Sequence, residues 1–454
     1  MNLLDLYIGR IQFFLDQEWT DGAKEKAREC LLDYTAVLLA GAKQLRARHE
    51  SYLNAVNSKS DAAAVGGMNR RTDVYSAALL NGLSAHVLEL DDGHRFGMLH
   101  PSVPVISVLL AIAEQERLPA AEFLKAIAAG YEATIRLACM VQPAHKKRGF
   151  HASATCGTVG AAIAVGVARG YNKEQLRNAA SAAMTSASGL LEMIDDDSEL
   201  KPYNCAQAAV NGLMAANVAL CGYRGPNDAL GGPRGFIYAL NGELDQGRVD
   251  AALKMRDCMG TAYRKLYASC RHTHSAVEAA LRLRERHIWE ASEIISVQVK
   301  TYDMAVYGHD MTSVGSISSA KMSTPYSVAT ALLYGKAGLD AFTEELLHDS
   351  AVRDVMQRTT VASDEELSAL APGIRVAIVT VTDVHRKEYT ERIDYPKGEP
   401  ENPLTLKELK EKAFELLRYA GISSEDSNAR IACFEDLENR WEEYLRSVGC
   451  VGKA

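Results

Sequence analysis

The sequence predicts a mostly α-helical protein: a large all-helical domain built from both chain ends, with a smaller α+β domain inserted between them. Two observations predict this fold class. Residues 1 to about 260, and again from about 405, are rich in residues that favour helix, with apolar positions at helical spacing. Between them, short runs alternate β-branched and polar residues, the period of a half-buried strand. We therefore expect one domain at 1–264 with 398–454 and another at 265–397.

The helical regions contain several segments with apolar residues at helical spacing. These predicted helices lie at 21–39, 119–141, 153–170, 173–191 and 206–220, and towards the C-terminus at 405–419 and 425–448. Glycine and alanine are frequent at 157–164, and small residues let helices approach closely. The helix at 153–170 is therefore expected to be buried on most sides.

The inserted region is where strands are expected. Segments 295–302 (ISVQVKTY) and 375–382 (RVAIVTVT) alternate β-branched and polar residues, and 387–394 is the expected hairpin partner of the second. Helical patterns at 318–333 and 339–358 lie between them. Segment 395–403 contains three prolines and a glycine, which end regular structure, so it is the expected return linker.

Composition excludes several function classes. The 454 residues carry a net charge of -8, which argues against a nucleic-acid surface. No window has 18 consecutive apolar residues, so no membrane span is expected. The N-terminus lacks the layout of a signal peptide, and the nine cysteines form no CxxC pair, which is typical of reduced thiols in a cytosolic protein. A cytoplasmic location follows as an expectation.

The first candidate site is segment 86–102. His86, Glu89 and Asp92 follow at intervals of three residues, so a helix ending at Gly93 would place them side by side. More ionisable residues come next: His94, Arg95 and His100. Three interpretations stay open at this point: a solvated helix end with capping charges, a carboxylate–histidine cluster for acid–base work, or a metal site.

The second and third candidates are single residues before apolar helices. His151 precedes the predicted buried helix, where the helix N-terminus favours a neutral imidazole; a capping or core histidine is the alternative. Lys201 follows the acidic run at 195–197. It forms either a surface ion pair of small value or a contact with a substrate carboxylate.

The remaining candidates lie in the inserted region. Lys265 is followed by Cys270, His272 and His274, but C-x-H-x-H spacing is tight and offers no fourth zinc ligand. Tyr326 lies in a helical pattern, where a tyrosine is more often part of the core. The glycine cluster at 231–235 lacks the Lys-Ser/Thr of a phosphate loop, and neither a GxSxG elbow nor a dinucleotide fingerprint is present.

Taken together, these candidate segments resemble the MmgE/PrpD family, which includes 2-methylcitrate dehydratases, cis-aconitate decarboxylases and iminodisuccinate epimerases. The matching segments occur in family order: ALLNGLSAHVLELDDGHRFGMLHPS (78–102), RGFHASATCGTVGAA (148–162), ELKPYNCAQAAVNGLMAA (199–216), KLYASCRHTH (265–274) and AKMSTPYSVATALLYG (320–335).

The resemblance implies a homodimer without metal or organic cofactor, in which the inserted α+β domain forms a lid. It also assigns functional positions, namely Asp91, Asp92, His100, His151, Lys201, Lys265 and Tyr326, with His94 and His274 near the family cleft. Three positions depart from many members, which have Asp in place of Glu89, Thr in place of Gly93 and Pro in place of Ala152.

The family reactions share one chemical problem, since each creates negative charge on a carbon next to a carboxylate. Lys201 and Lys265 are the natural cations to bind substrate carboxylates and stabilise that charge. His100 and His151 are the expected general acid and base, because imidazole titrates near neutral pH. A small di- or tricarboxylate is thus the expected substrate.

The other expected site residues act on these groups. Asp91 or Asp92 would orient a histidine or keep a lysine charged, and Tyr326 would donate a proton or a hydrogen bond. Dehydratase, decarboxylase and epimerase chemistry all suit this set. A non-catalytic relative that keeps the fold and binds a metabolite is the alternative from another class.

Overall fold

The computed structural model describes residues 2–194 and 198–449, and it confirms a mostly α-helical protein. The helices up to residue 254 are α1 (Leu3–Phe13), α2 (Asp21–Val56), α3 (Val74–Val87), α4 (Ser102–Ala113), α5 (Ala120–Val141), α6 (Ala144–Lys147), α7 (Ala152–Ala168), α8 (Lys173–Ser186), α9 (Lys201–Leu220), α10 (Phe236–Asn241) and α11 (Gln246–Lys254). A short antiparallel pair, β1 (Ala63–Val65) and β2 (Arg70–Thr72), precedes α3.

The second half of the chain contains a larger sheet and more helices. In chain order these are α12 (His274–Arg286), β3 (Ile294–Thr301), α13 (Ile317–Met322), α14 (Thr324–Tyr334), α15 (Glu344–Leu347), α16 (Ser350–Gln357), β4 (Thr359–Ser363), α17 (Glu365–Leu370), β5 (Ala377–Asp383), β6 (Glu388–Ile393), α18 (Leu406–Tyr419), α19 (Ser424–Cys433) and α20 (Trp441–Gly449).

Helix α7 lies at the centre of the helical part, packed against α4, α5, α8 and α9. Its residues from Ala152 to Val167 are almost fully buried, as the small-residue pattern predicts. A Cβ atom at Gly157 would lie 2.8 Å from Pro104, and one at Gly160 would overlap Thr134 of α5. Glycine at these positions is therefore what permits the close approach of the helices.

Helices from the C-terminal end complete the helical part. Helix α18 packs on α2, where a buried ion pair joins Lys412 Nζ to Asp33 Oδ1 at 2.7 Å. The same ammonium donates a hydrogen bond to the carbonyl of Leu90 at 2.9 Å. Trp441 of α20 donates its indole N–H to the Leu118 carbonyl. The C-terminal helices thus contact the segment that contains the first candidate site.

The larger sheet has the strand order β4-β3-β5-β6. Strands β5 and β6 form the predicted antiparallel hairpin, and β3 pairs antiparallel with β5. Strand β4 was not predicted from the sequence; it pairs in parallel with β3 and follows α16 directly. The buried residues of β3 and β5 alternate along each strand, which is why their pattern was visible in the sequence.

Several element boundaries differ from prediction. The helix before the first candidate site ends at Val87 and not at Gly93, because Glu89 adopts a left-handed backbone with φ 55°. The predicted helix at 318–333 is two helices, since Ser323 is extended and caps α14 with its side chain. No helix within 2–194 and 198–449 has the length and apolar content that a membrane crossing requires.

The two chain connections between the helical and sheet-containing parts lie side by side. Arg264 donates its backbone N–H to the Gly398 carbonyl at 3.0 Å, and Gly398 has φ 94°. A Cβ atom at Gly398 would overlap the Arg264 carbonyl, so glycine is required at this contact. The domain limits at 264/265 and 397/398 stay a prediction.

Candidate active site

A cavity of about 150 Å³ lies between the helical part and the sheet-containing part. It adjoins an outer groove of about 910 Å³, and Glu89 and Lys201 line both. The ionisable residues that line the cavity come from distant segments: Glu89, Lys146, His100, His151, Lys201, Tyr263, Cys270, Arg271, His272, Tyr307, His309 and Arg375. The fold therefore concentrates many charged and titratable groups around one small space.

Glu89 forms the electrostatic centre of this site. Its carboxylate makes ion pairs with Lys201 Nζ and, at 2.9 Å, with Lys265 Nζ. Burial raises the pKa of the Glu89 carboxyl, but the two lysines outweigh burial and hold the pKa well below its usual range. The left-handed backbone at Glu89 turns the chain after α3 and places this side chain between the lysines.

Asp91 connects two histidines. Its Oδ2 lies 2.8 Å from His86 Nδ1 and 3.1 Å from His100 Nδ1, and all three groups are buried or nearly so. His100 Nδ1 is also 2.7 Å from the Asp92 carbonyl oxygen, so this nitrogen carries the proton and Nε2 is left for the cavity. Burial lowers the pKa of His100, although Asp91 acts in the opposite direction. His100 is therefore neutral at neutral pH.

His151 is the second imidazole of the cavity. It precedes α7 in the N-cap position and is 6% exposed. Burial, followed by the Lys201 cation, holds the pKa of His151 well below its usual range. Within the described residues, its Nδ1 atom has no hydrogen-bond partner. This imidazole is thus neutral and available for proton transfer at a polar ligand.

Three lysines converge near Glu89, and the sequence pointed to only two. Lys201 begins α9, whereas Lys265 lies in the segment before α12. Lys321 of α13 is the third; it donates to the Val87 carbonyl at 3.2 Å. Burial lowers the pKa of Lys321 to about 8. Lys321 lies in segment 320–335, one of the segments that resemble the family. The resemblance could therefore have pointed to this lysine, which was not among the predicted site residues.

Four other predicted residues make contacts away from the cavity. Asp92 accepts hydrogen bonds from the Ser102 N–H at 3.2 Å and the Tyr131 hydroxyl at 2.5 Å, and burial raises its pKa to about 6. His94 contacts the Gly97 N–H and the Thr261 hydroxyl, and His274 Nε2 lies 3.2 Å from the Ser269 carbonyl. These contacts fix the loops around the cavity. Asp92, His94 and His274 do not line the cavity, and neither do Asp91 and Lys265, which contact the lining residues His100 and Glu89.

Tyr326 is the fourth of these residues, and the structure does not bring it to the cavity. Its hydroxyl donates to the Ala341 carbonyl at 2.7 Å, and its ring packs against Phe342. The side chain is fully buried in the core of the sheet-containing part. A role in proton donation is therefore not supported by its position. The acidic run at 195–197 lies outside the described residues.

Tyr263 fills the space beside Gly93. A Cβ atom at Gly93 would lie 2.5 Å from Cζ of the Tyr263 ring, and the two residues exchange backbone hydrogen bonds at 2.8 and 3.0 Å. Burial raises the pKa of the Tyr263 hydroxyl. Since Tyr263 lines the cavity, a phenol takes the position that a side chain at residue 93 would occupy.

One group of residues has the spacing of metal ligands. His86, Glu89 and His100 each provide an atom, and these atoms lie within 4.8 Å of one another. His86 Nε2 is buried and has no hydrogen-bond partner among the described residues. However, the Glu89 oxygens already contact two ammonium groups, and these would repel a metal cation at this point.

The fold and the site together define a mostly helical protein with acid–base groups and cations around a small cavity. Family models identify it further: the MmgE/PrpD N-terminal domain matches residues 15–247, and the MmgE/PrpD C-terminal domain matches residues 267–439. The chain belongs to the MmgE/PrpD family.

Curated relatives extend this result across most of the chain. A cis-aconitate decarboxylase-like protein, oryM, of Aspergillus oryzae is 28% identical, covering 77% of this chain and 77% of its own length. Human cis-aconitate decarboxylase is 24% identical, covering 87% of this chain and 83% of its own. The enzyme of that name from Aspergillus terreus is 26% identical, with 82% and 81% covered.

Proposed function

We propose that this protein is a lyase that acts on a small di- or tricarboxylate, as a dehydratase or a decarboxylase, by proton transfer at a carbon next to a carboxylate. The observation that carries the proposal is that two imidazoles, His100 and His151, line one cavity together with Glu89 and Lys201, and that the buried Lys265 completes the ion pairs of Glu89. The relatives named as cis-aconitate decarboxylases support the same class.

Substrate carboxylates would be bound at two ends of the cavity. At one end, Lys201 shares the Glu89 carboxylate with Lys265, which is fully buried and does not itself line the cavity, while Arg375 and Lys146 line another part. Glu89 already neutralises part of the positive charge of Lys201 and Lys265. A substrate carboxylate must therefore share these lysines with Glu89 or displace Glu89. The second end is free to hold another carboxylate of the same molecule.

Proton transfer would use the neutral imidazoles. His100 has its Nδ1 proton directed at Asp91 and the Asp92 carbonyl, so Nε2 can accept a proton from the carbon next to a substrate carboxylate. The resulting negative charge spreads onto that carboxylate, which the lysines stabilise. In a dehydration, the electron pair then expels the β-hydroxyl as hydroxide, which takes the proton that His100 has just accepted and leaves as water, while the neutral His151 would hydrogen-bond to the departing oxygen.

A decarboxylation would use the same groups in another order. The bond to the departing carboxylate breaks, carbon dioxide leaves, and its bonding electrons remain on the adjacent carbon. The cations stabilise that carbanion, which then takes a solvent proton relayed through His100 or His151. Epimerisation would instead need both imidazoles on opposite faces of one carbon.

The test is turnover of a panel of citrate-like and aspartate-like polycarboxylates in deuterium oxide, followed by NMR and mass spectrometry. We expect loss of water or carbon dioxide from one member, with solvent deuterium entering the carbon skeleton. Absence of turnover and exchange across the panel would favour a metabolite-binding protein. Racemised or epimerised substrate without loss of mass would indicate the epimerase.

Two variants then test the assigned residues. Lys201→Ala and His151→Ala are each expected to lower kcat/KM at least 100-fold, the usual effect of removing a catalytic acid, base or charge stabiliser. Exposed residues provide matched controls, namely Lys147→Ala and His348→Ala. The assigned site is wrong if both active-site variants stay within about threefold of wild type, roughly 0.7 kcal/mol.

A further inference from the structure

Cys270 and His309 form a close pair on the cavity wall that the proposed reaction does not use. Cys270 Sγ lies 3.0 Å from His309 Nε2. The other ring nitrogen, Nδ1, lies 2.8 Å from the Tyr307 carbonyl oxygen. Since a carbonyl oxygen only accepts, Nδ1 carries a proton, and Nε2 is left to take the thiol proton.

The surroundings of this pair favour the charged form of the thiol. Burial raises the pKa of Cys270, but His309 and then Lys201 outweigh it, and the pKa falls to about 5. Contact with Cys270 correspondingly raises the pKa of His309 against the effect of burial. Other titratable groups that act on the pair are Glu89, which opposes the thiolate, and Lys146, His272 and Tyr302.

Position and access separate Cys270 from the other thiols in the described part of the chain. Cys270 is half-buried and lines the cavity, whereas five thiols are fully enclosed: Cys30, Cys156, Cys205, Cys258 and Cys433. Cys139 is half-buried, but burial raises its pKa to about 12. Cys221 is exposed on the surface at the end of α9. Cys139 Sγ also faces an imidazole, His94 Nδ1, but at 3.9 Å, so among the described thiols Cys270 combines access with the shorter imidazole contact.

We propose that Cys270 is a nucleophilic modification site, held as a thiolate–imidazolium pair with His309, for small electrophiles that enter the cavity. In the simplest case, the sulfur electron pair forms a bond to the methylene carbon of iodoacetamide, and iodide leaves with the electrons of the broken bond. His309 keeps its proton and remains an imidazolium. Alkylation of Cys270 does not depend on which carboxylate the protein converts.

The test measures alkylation of the full-length protein by iodoacetamide between pH 6 and 8, with each cysteine-containing peptide quantified by mass spectrometry. The rate of a reference thiol, N-acetylcysteine, rises about tenfold for each unit of increasing pH in this range, because only the thiolate reacts and the range lies below the ordinary thiol pKa of about 8.5. We expect the rate at Cys270 to change less than threefold over this range. A rise parallel to the reference thiol would overturn the proposal.

A variant tests the partner. His309→Gln keeps a polar side chain but has no imidazolium, so the rate at Cys270 should fall at least tenfold at pH 6 and become pH-dependent. His348→Gln, which alters an exposed histidine, should leave the wild-type profile unchanged. If His309→Gln fails to fold, the pH profile of Cys270 alkylation in the wild-type protein still tests the proposal. An unchanged flat profile in folded His309→Gln would refute the role of the pair.

Discussion

Replacing Glu89 by glutamine tests how the charge balance of the cavity stabilises the protein. The carboxylate has 7% of its side chain exposed, and its partners Lys201 and Lys265 have 16% and 0%. Glutamine keeps the length and the hydrogen-bonding shape but removes the negative charge. Two ammonium groups then face each other in a partly desolvated space without the carboxylate that they share.

The expected loss follows from this burial. Removing one partner from a buried ion pair costs about 3–5 kcal/mol, since the remaining charge is left uncompensated. Lys201 is partly open to the cavity and can recruit solvent, so we expect a value near the lower end, about 3 kcal/mol. Glu199→Gln is the matched control, because its partner Arg48 and Glu199 have 64% and 58% of their side chains exposed. Glu199→Gln should lower the free energy of unfolding by less than about 1 kcal/mol.

Urea denaturation followed by circular dichroism and fluorescence measures both losses. A second arm adds malonate, whose carboxylate can take the place of the missing Glu89 charge. Ligand at 100 times its Kd stabilises a protein by about 2.7 kcal/mol, so malonate should raise the midpoint of Glu89→Gln more than that of wild type. The reasoning fails if Glu89→Gln loses no more than Glu199→Gln and malonate affects both equally.

Three further predictions concern single contacts. Lys321→Met should raise the free energy of unfolding at pH 7 by about 3 kcal/mol, since burial lowers the lysine pKa from 10.5 to about 8 and each unit is worth about 1.36 kcal/mol. The stability gained by Lys321→Met should shrink as the pH rises from 8 to 10.5, because the folded wild-type protein loses the Lys321 proton before the unfolded chain does. Urea denaturation at both ends of this pH range measures the change, with Lys59→Met as the exposed control. Tyr326→Phe should lose about 1 kcal/mol of stability for its buried hydrogen bond and leave turnover within threefold of wild type. Gly93→Ala should cost about 1–3 kcal/mol by crowding the Tyr263 ring, and a double-mutant cycle with Tyr263→Ala should show coupling above about 0.5 kcal/mol.

Regular elements with a strong local period were predictable from the sequence. Helices α5 and α7 and strands β3, β5 and β6 all lie within a few residues of their expected positions. Strand β4 was not predictable, because it pairs in parallel with β3 and has no hairpin partner next to it in sequence. The end of α3 at Val87 was also missed, since glutamate at Glu89 is not a residue type that indicates a left-handed backbone.

The candidate site, like the fold, was only partly predictable from the sequence. His100, His151 and Lys201 were found through family segments, and the fold places them at one cavity. The pair Cys270 and His309 had no sequence pattern, because 39 residues separate its members and only tertiary packing joins them. Resemblance alone also cannot tell which side of a helix faces the cavity, which is why Tyr326 was included although its hydroxyl is used within the core.

The contact of Lys412 with Asp33 and the Leu90 carbonyl has a consequence for synthesis of the chain. Lys412 follows Asp33 by 379 residues, so the ribosome completes the entire sheet-containing part before this contact can form. Until then the Asp33 carboxylate and the loop around Leu90 lack the ammonium that stabilises them. The ion pair that holds the loop around Leu90 therefore forms only after α18 has left the ribosome. A chain that stops short of α18 would therefore leave the Asp33 carboxylate and the Leu90 carbonyl without their ammonium partner, next to the segment that contains the candidate site.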